Sequence, residues 1–135
     1  MDLNLNLGDY PHRVIETVRF SETDMLGHVN NTVFGIYFEI GRSAFLSKIG
    51  FYKQVEVSVV IVKTEIHFRG MIFWPGQVEI GTRVTETGRS SFSVEQILVQ
   101  EDRVVGGSIS AMVVIDPATS RAIPISDIVR SLLAA

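Results

Sequence analysis

The run DMLGHVNN, from Asp24 to Asn31, brings together a carboxylate, an imidazole, a glycine and two carboxamides. A carboxylate beside a partly desolvated cleft can take a proton from water or attack an electrophile itself. Asp24 is the candidate for either role, and the competing reading is a plain loop or capping aspartate. His28 can hydrogen-bond that carboxylate or a substrate carbonyl, or simply order the loop. The run ends in Asn30 and Asn31, each a good helix N-cap. A helix start presents free N–H groups and the positive end of the helix dipole, which together stabilise an oxyanion. Asn31 and Thr32 are the expected backbone donors. Every helix has such an end, and the preceding acid, Asp24, singles this one out.

Further candidates lie downstream. Glu39 and Arg42 stand three apart on the expected helix, at ion-pair spacing. They read either as a structural pair or, with Glu39, as a second catalytic carboxylate. Gly88-Arg89-Ser90-Ser91 is a turn with a cation and two hydroxyls, and Lys63 and Arg69 lie on the polar side of a strand. Such groups suit phosphate oxygens or make a solvated hairpin. His12, His28 and His67 match no zinc spacing, so no metal site is expected. The G-x-S-x-G and Walker patterns are absent, leaving serine-hydrolase and P-loop readings without support.

These residues need elements to hold them. Behind the polar run, Val33, Tyr37, Ile40 and Ala44 form one stripe at helical spacing, and Phe34, Phe38, Phe45 and Ile49 fill most of the remainder. Gly50 marks the end. A helix apolar nearly all round is expected to be buried nearly all round. Strands are expected at Arg13 to Phe20, across Val60 to Arg69, at Gln77 to Thr87, Ser90 to Gln100 and Arg103 to Ile115. In the second, Val60, Val62, Thr64, Ile66 and Phe68 would share one face. Ser126 can cap a short C-terminal helix whose Val129, Leu132 and Leu133 pack inward. The residues up to Pro11 read as a loose lead-in. The order is strand, long helix, then an antiparallel meander, an α+β arrangement with one curved sheet around one helix. Such a sheet covers neither the whole helix nor its own edges, so a homodimer or homotetramer is expected.

The bulk properties agree. The 135 residues fit one domain spanning 1–135, and 46% hydrophobic residues suffice for a core. A net charge of −3 speaks against a nucleic-acid surface. Without cysteine there is no disulfide, thiolate metal site or cysteine nucleophile. No apolar run reaches the roughly 18 residues of a membrane span, and the start MDLNLNLGDYPHR lacks the pattern of a signal peptide. A cytoplasmic location is the default expectation.

The run from Arg19 to Arg42, RFSETDMLGHVNNTVFGIYFEIGR, resembles the signature of the hotdog-fold acyl-CoA thioesterases of the 4-hydroxybenzoyl-CoA thioesterase group. That signature has an aspartate, a GHVNN-like segment, and an aromatic-x-E-x-x-R pattern on the helix. Here these are Asp24, Gly27 to Asn31, and Phe38-Glu39 with Arg42. The strand order and the GRSSF turn also agree. The resemblance implies a hotdog fold and hydrolysis of an acyl-CoA, or an acyl carrier protein thioester, to acid and thiol. It implies Asp24 as catalytic carboxylate, the Asn31 N–H on the thioester carbonyl, and Arg89, Ser90 and Ser91 on the nucleotide end of coenzyme A. It puts Glu39 where a related branch keeps its acid. No cofactor is implied beyond the coenzyme A of the substrate. The histidine-asparagine run departs from the benzoyl-specific enzyme and favours a broader acyl-CoA type. A non-catalytic acyl-thioester binder and a hotdog dehydratase or hydratase are the competing readings.

Overall fold

The computed structural model describes residues 6–25 and 27–135. Its longest helix, α1, runs Asn31–Ile49. Of the two asparagines, Asn30 is the cap: its side-chain oxygen accepts the Thr32 N–H at 2.9 Å. Gly50 closes the helix in the left-handed conformation (φ 85°) that side chains disfavour, and its N–H satisfies the Leu46 and Ser47 carbonyls. Val33, Phe34, Tyr37, Phe38, Gly41, Phe45 and Leu46 form the buried side. Burying Phe34 and Phe38 contributes about 1.5–3 kcal/mol each.

Within one chain the helix is not enclosed all round, in keeping with a single sheet that cannot cover all of it. Thr32, Ile36, Glu39, Ser43 and Ser47 form an open stripe, with Ile36 still 50% exposed. One sheet of five strands reaches only the side it faces.

That sheet contains β1 His12–Thr17, β2 Ser58–Phe68, β3 Gln77–Thr87, β4 Ser91–Gln100 and β5 Arg103–Ile115. The order is β1-β3-β4-β5-β2, antiparallel throughout. With the long central helix this is the hotdog fold. β1 is shorter than expected, and Phe20–Glu22 instead form a 3-10 turn. Ser126 caps α2, Asp127–Leu133, accepting the Val129 N–H at 3.2 Å. Of the lead-in, residues 1–5 lie outside the described residues. Tyr10 is fully buried with Ile97 and Val99 on the face away from α1, so that segment is packed rather than loose.

β2 departs most from expectation. Its register shifts between Ile61, paired with Met112, and Lys63, paired with Ala111, leaving Val62 as a bulge. Val60 therefore does not share a face with Thr64 and Ile66. Val59 packs on the core beneath the C-terminal half of α1, whereas Val60 and Val62 are exposed. Simple alternation fails at an edge strand with an extra residue.

Two apolar clusters lie between helix and sheet. One gathers Val33, Phe34, Tyr37 and Phe38 with Ile72, Val78, Ile80 and Leu98. The other joins Phe45 and Leu46 to Phe92, Met112 and α2. Between them Gln96, fully buried, donates to the Phe38 carbonyl at 2.9 Å and to Thr82 Oγ1 at 3.0 Å. Its own carbonyl oxygen accepts from Arg42 Nη1 at 3.3 Å. Gly41 allows this approach: a Cβ there would sit 2.5 Å from Ile80 Cγ2 and 2.7 Å from Gln96 Nε2.

Candidate active site

The polar run folds as a small closed loop against the start of α1. Thr23 and Val29 bridge across it. The Asp24 N–H donates to the His28 carbonyl at 2.9 Å, and the Gly27 N–H donates to the Asp24 carbonyl at 3.1 Å. Gly27 has φ 83°, a value that lets the chain reverse within so few residues. The loop is tied to the body on both limbs. Val29 N–H donates to the Ile72 carbonyl at 2.8 Å, and Asn30 N–H donates to the Glu22 carbonyl at 2.9 Å.

Asp24 and His28 are brought together. Nδ1 of His28 lies 3.7 Å from Oδ2 of Asp24, with the side chains 18% and 30% exposed respectively. This is an orienting distance, longer than a good hydrogen bond. His28 also bridges to Phe73. Both groups are half-buried, accessible to a ligand yet partly desolvated.

The helix start is next to the loop. The Thr32 N–H, one expected donor, is taken by the Asn30 cap, and the Val33 N–H goes to the Asn30 carbonyl at 3.0 Å. That leaves the Asn31 N–H as the first-turn donor with no partner among the described residues, and Thr32 is withdrawn from the pair.

Other candidates are placed elsewhere. Glu39 is exposed, about 12 Å farther along α1 than Asn31 at about 1.5 Å per residue. It lines a groove of about 180 Å³ with Arg42, Ser43, Tyr52 and Ile61. Glu39 and Arg42 make no ion pair within 4.0 Å among the described residues. Arg42 turns inward to Gln96, and burial lowers its guanidinium pKa against the opposing pull of Glu39. Arg69 is exposed, and its backbone N–H donates to the Val105 carbonyl at 2.9 Å; it sits at the same end of the sheet as the Asp24 loop.

Arg89, Ser90 and Ser91 lie at the other end. The Arg89 carbonyl accepts from Ile125 and the Ser90 carbonyl from Val114. β4, ten residues long, separates this turn from Gln100, whose amide grips both backbone groups of Phe73 beside the loop at 2.9 Å. At about 3.3 Å per residue the separation is roughly 30 Å. One chain thus does not bring the Arg89 turn to Asp24.

Sequence reasoning missed the apolar surround. Phe20, Phe68, Met71, Phe73 and Trp74 remain exposed near the loop. Phe20 meets Trp74 edge-on, with ring centroids 5.0 Å apart, and Phe68 meets Phe34 in the same manner at 5.0 Å. Phe20 and Phe68 read as strand residues, and Met71, Phe73 and Trp74 fall between expected strands, so spacing along the chain does not gather them. No cluster of three or more metal-ligating side chains occurs among the described residues, nor any helix long and apolar enough to cross a membrane.

The sequence profile of the thioesterase-like superfamily matches residues 18–133, which include the Asp24 loop, α1 and β2 through β5. The chain belongs to that superfamily. Among solved structures, a Thermus thermophilus thioesterase complexed with coenzyme A and zinc is 27% identical, with TM-score 0.81 and 92% of each chain covered. A predicted thioesterase from Bacillus stearothermophilus is 28% identical, with TM-score 0.81, covering 90% of this chain and 92% of that one. The uncharacterised YsmA protein of Bacillus subtilis is 28% identical over 82 residues, 60% of this chain. That match spans 56% of the YsmA chain, little more than half its length. Superfamily membership and these neighbours support thioester hydrolysis in general terms.

Proposed function

We propose that this protein hydrolyses acyl-CoA thioesters to the free acid and coenzyme A. The observation that carries the reading is the Asp24 loop closed against the start of α1, with a half-buried carboxylate and the open Asn31 N–H on one side of the molecule. A thioester carbonyl is electrophilic, and its thiol leaves without strong acid help because its pKa is near 8.5. In one form of the step Asp24 takes a proton from water, whose oxygen attacks the carbonyl carbon; the tetrahedral intermediate then collapses with cleavage of the C–S bond, and the thiolate takes up the proton held by Asp24. In the other, the Asp24 carboxylate attacks, the C–S bond breaks, and water cleaves the resulting mixed anhydride. In both, charge builds on the carbonyl oxygen, where the Asn31 N–H and the helix dipole stabilise it. His28 orients the carboxylate. The exposed aromatic surround offers apolar surface to the acyl chain, and the coenzyme A found with the Thermus thioesterase supports the carrier. The reaction so written uses no cofactor beyond the coenzyme A of the substrate, and it belongs in the cytoplasm, where acyl-CoA is found.

We further propose that the working unit is a homodimer joined through β2 and the open stripe of α1. β2 is an unpaired edge of 11 residues carrying exposed Val60, Ile61 and Val62, a pattern that invites pairing. Antiparallel pairing of two such edges sets the Ser58 end of one chain beside the Phe68 end of the other. It thereby gathers the partner's far end, which carries the Arg89 turn, toward the near end, which carries Arg69 and the Asp24 loop. Arg69, Arg89, Ser90 and Ser91 are then the groups for the phosphates of coenzyme A.

The test is thiol release over a panel of acyl-CoA and acyl carrier protein thioesters. Release from one class identifies the carrier. Binding without thiol release would overturn hydrolysis in favour of a binding module. A change in enoyl absorbance without thiol would favour a hydratase or dehydratase.

A further inference from the structure

Tyr37 is fully buried on α1, yet its hydroxyl is not idle. It donates to Oε1 of Glu22 at 2.7 Å. The same oxygen accepts the Arg19 N–H at 2.8 Å, closing the 3-10 turn that leads into the loop. Burial, and then the bond to Glu22, raise the Tyr37 pKa well above its ordinary 10.0, so the phenol stays a donor. Glu22 is two residues before Asp24, and its backbone carbonyl accepts the Asn30 N–H at 2.9 Å. One residue thus joins three parts: the turn before the loop, the second turn of α1, and the helix cap.

We infer that Glu22 and Tyr37 are positioning residues that set where the Asp24 carboxylate stands relative to the Asn31 N–H. The inference rests on the catalytic reading of Asp24. Val29 is held by the Ile72 carbonyl, so the second limb of the loop is pinned to the segment after β2. The first limb has the Tyr37–Glu22 bond as its side-chain link to the helix, beside the backbone bond from the Asn30 cap to the Glu22 carbonyl. Remove it, and the backbone bonds alone hold Glu22, so Asp24 gains freedom about the Thr23–Val29 bridge while the fold beneath stays packed. A small misplacement of a reacting group costs rate far more than binding.

The experiment uses the full chain with Tyr37→Phe, Glu22→Ala, Glu22→Gln and the Tyr37→Phe/Glu22→Ala double variant. Two readouts are taken: thiol release, and amide hydrogen exchange over residues 22–30 and 38–49. Either of the first two variants lowers kcat on the order of tenfold with KM within about twofold, and the double variant is no worse than either, as for groups acting as one unit. Glu22→Gln keeps an acceptor oxygen and recovers most of the rate. Exchange quickens over 22–30 but not over 38–49. Unchanged exchange in both Tyr37→Phe and Glu22→Ala overturns the inference, as does multiplication of the two losses in the double variant. If Tyr37→Phe does not fold, the Glu22 pair decides on the same readouts. Full turnover by Asp24→Asn would instead overturn the catalytic reading, with the exchange result still judging the tether.

Discussion

Gln96 of β4 donates a 2.9 Å hydrogen bond to the carbonyl of Phe38 in the middle of α1. A mid-helix carbonyl already serves its own helix, so this extra bond fastens helix to sheet at one height along both. Gly41 makes the contact possible, and replacing it with alanine drives a methyl into Ile80 and the pinned Gln96 amide. Gly41→Ala is expected to destabilise the fold by about 1–3 kcal/mol despite alanine's better helix propensity. Urea denaturation checks it; a variant as stable as the wild type would show that the interface yields easily.

Asp24→Asn keeps the size of the side chain and removes its basicity. Turnover in the thiol-release assay is expected to fall about a hundredfold or more, the scale of lost acid–base assistance. The melting temperature should stay close to the wild-type value, separating chemistry from folding.

Asn30 caps α1 through two bonds, one to the Thr32 N–H and one from the Thr32 hydroxyl, each 2.9 Å. Asn30→Ala is expected to cost about 1 kcal/mol. It also frees a second N–H beside the Asn31 donor. Thermal melts report the first effect and kcat the second; a melt unchanged from wild type would deny the cap its role.

Alkaline titration has a definite sign. The Tyr37 pKa is raised on folding, by burial first and then by its bond to Glu22. Its contribution is therefore fully present below the unfolded value of 10.0 and is lost as pH rises toward the higher folded value. Wild-type melting temperature should drop as pH rises above 10.0. Tyr37→Phe should lose less over that range, because it has no phenol to ionise there. Parallel declines in the two proteins would contradict this.

The edge of β2 supplies the last prediction. A charge at Val60 together with one at Ile36, for example Val60→Lys with Ile36→Glu, should shift the protein toward monomer in sedimentation velocity. Activity should fall with it. A wild-type chain sedimenting as a monomer at micromolar concentration would remove the dimer from consideration.

Much of the architecture was legible in the chain. Phe34, Phe38 and Gly50 mark α1 because helical spacing and a left-handed stop are local properties. β3 and β5 were read with their observed limits, since Gln77, Thr87, Arg103 and Ile115 abut turn residues. Val62 was not legible, because a bulge keeps the residue types of a strand while changing which face they occupy. That one sheet leaves part of α1 open was expected, but which residues form the open stripe was not, because apolarity says that a face wants cover, not that the same chain supplies it. Asp24, His28 and Asn31 lie together as expected because neighbours in sequence stay neighbours in a short loop. Glu39 and the Arg89 turn were candidates by residue type alone, and the lengths of α1 and β4 set them apart from Asp24. Tyr37 was counted as core, although a buried hydroxyl always raises the question of its partner.

The bulge at Val62 has a consequence for how this gene can change. Ser58 to Ile61 pair with Ile115 to Met112, and Lys63 to Phe68 pair with Ala111 to Gly106, so the partner strand skips no position. Loss of the single codon for Val62 would leave every one of those pairings in register. Loss of the codon on either side would let Val62 take the vacated place opposite Met112 or Ala111, keeping the register and changing one side chain. A single in-frame deletion at the bulge thus leaves the β2–β5 ladder in register, whereas one farther along β2 turns the residues between it and the bulge to the other face.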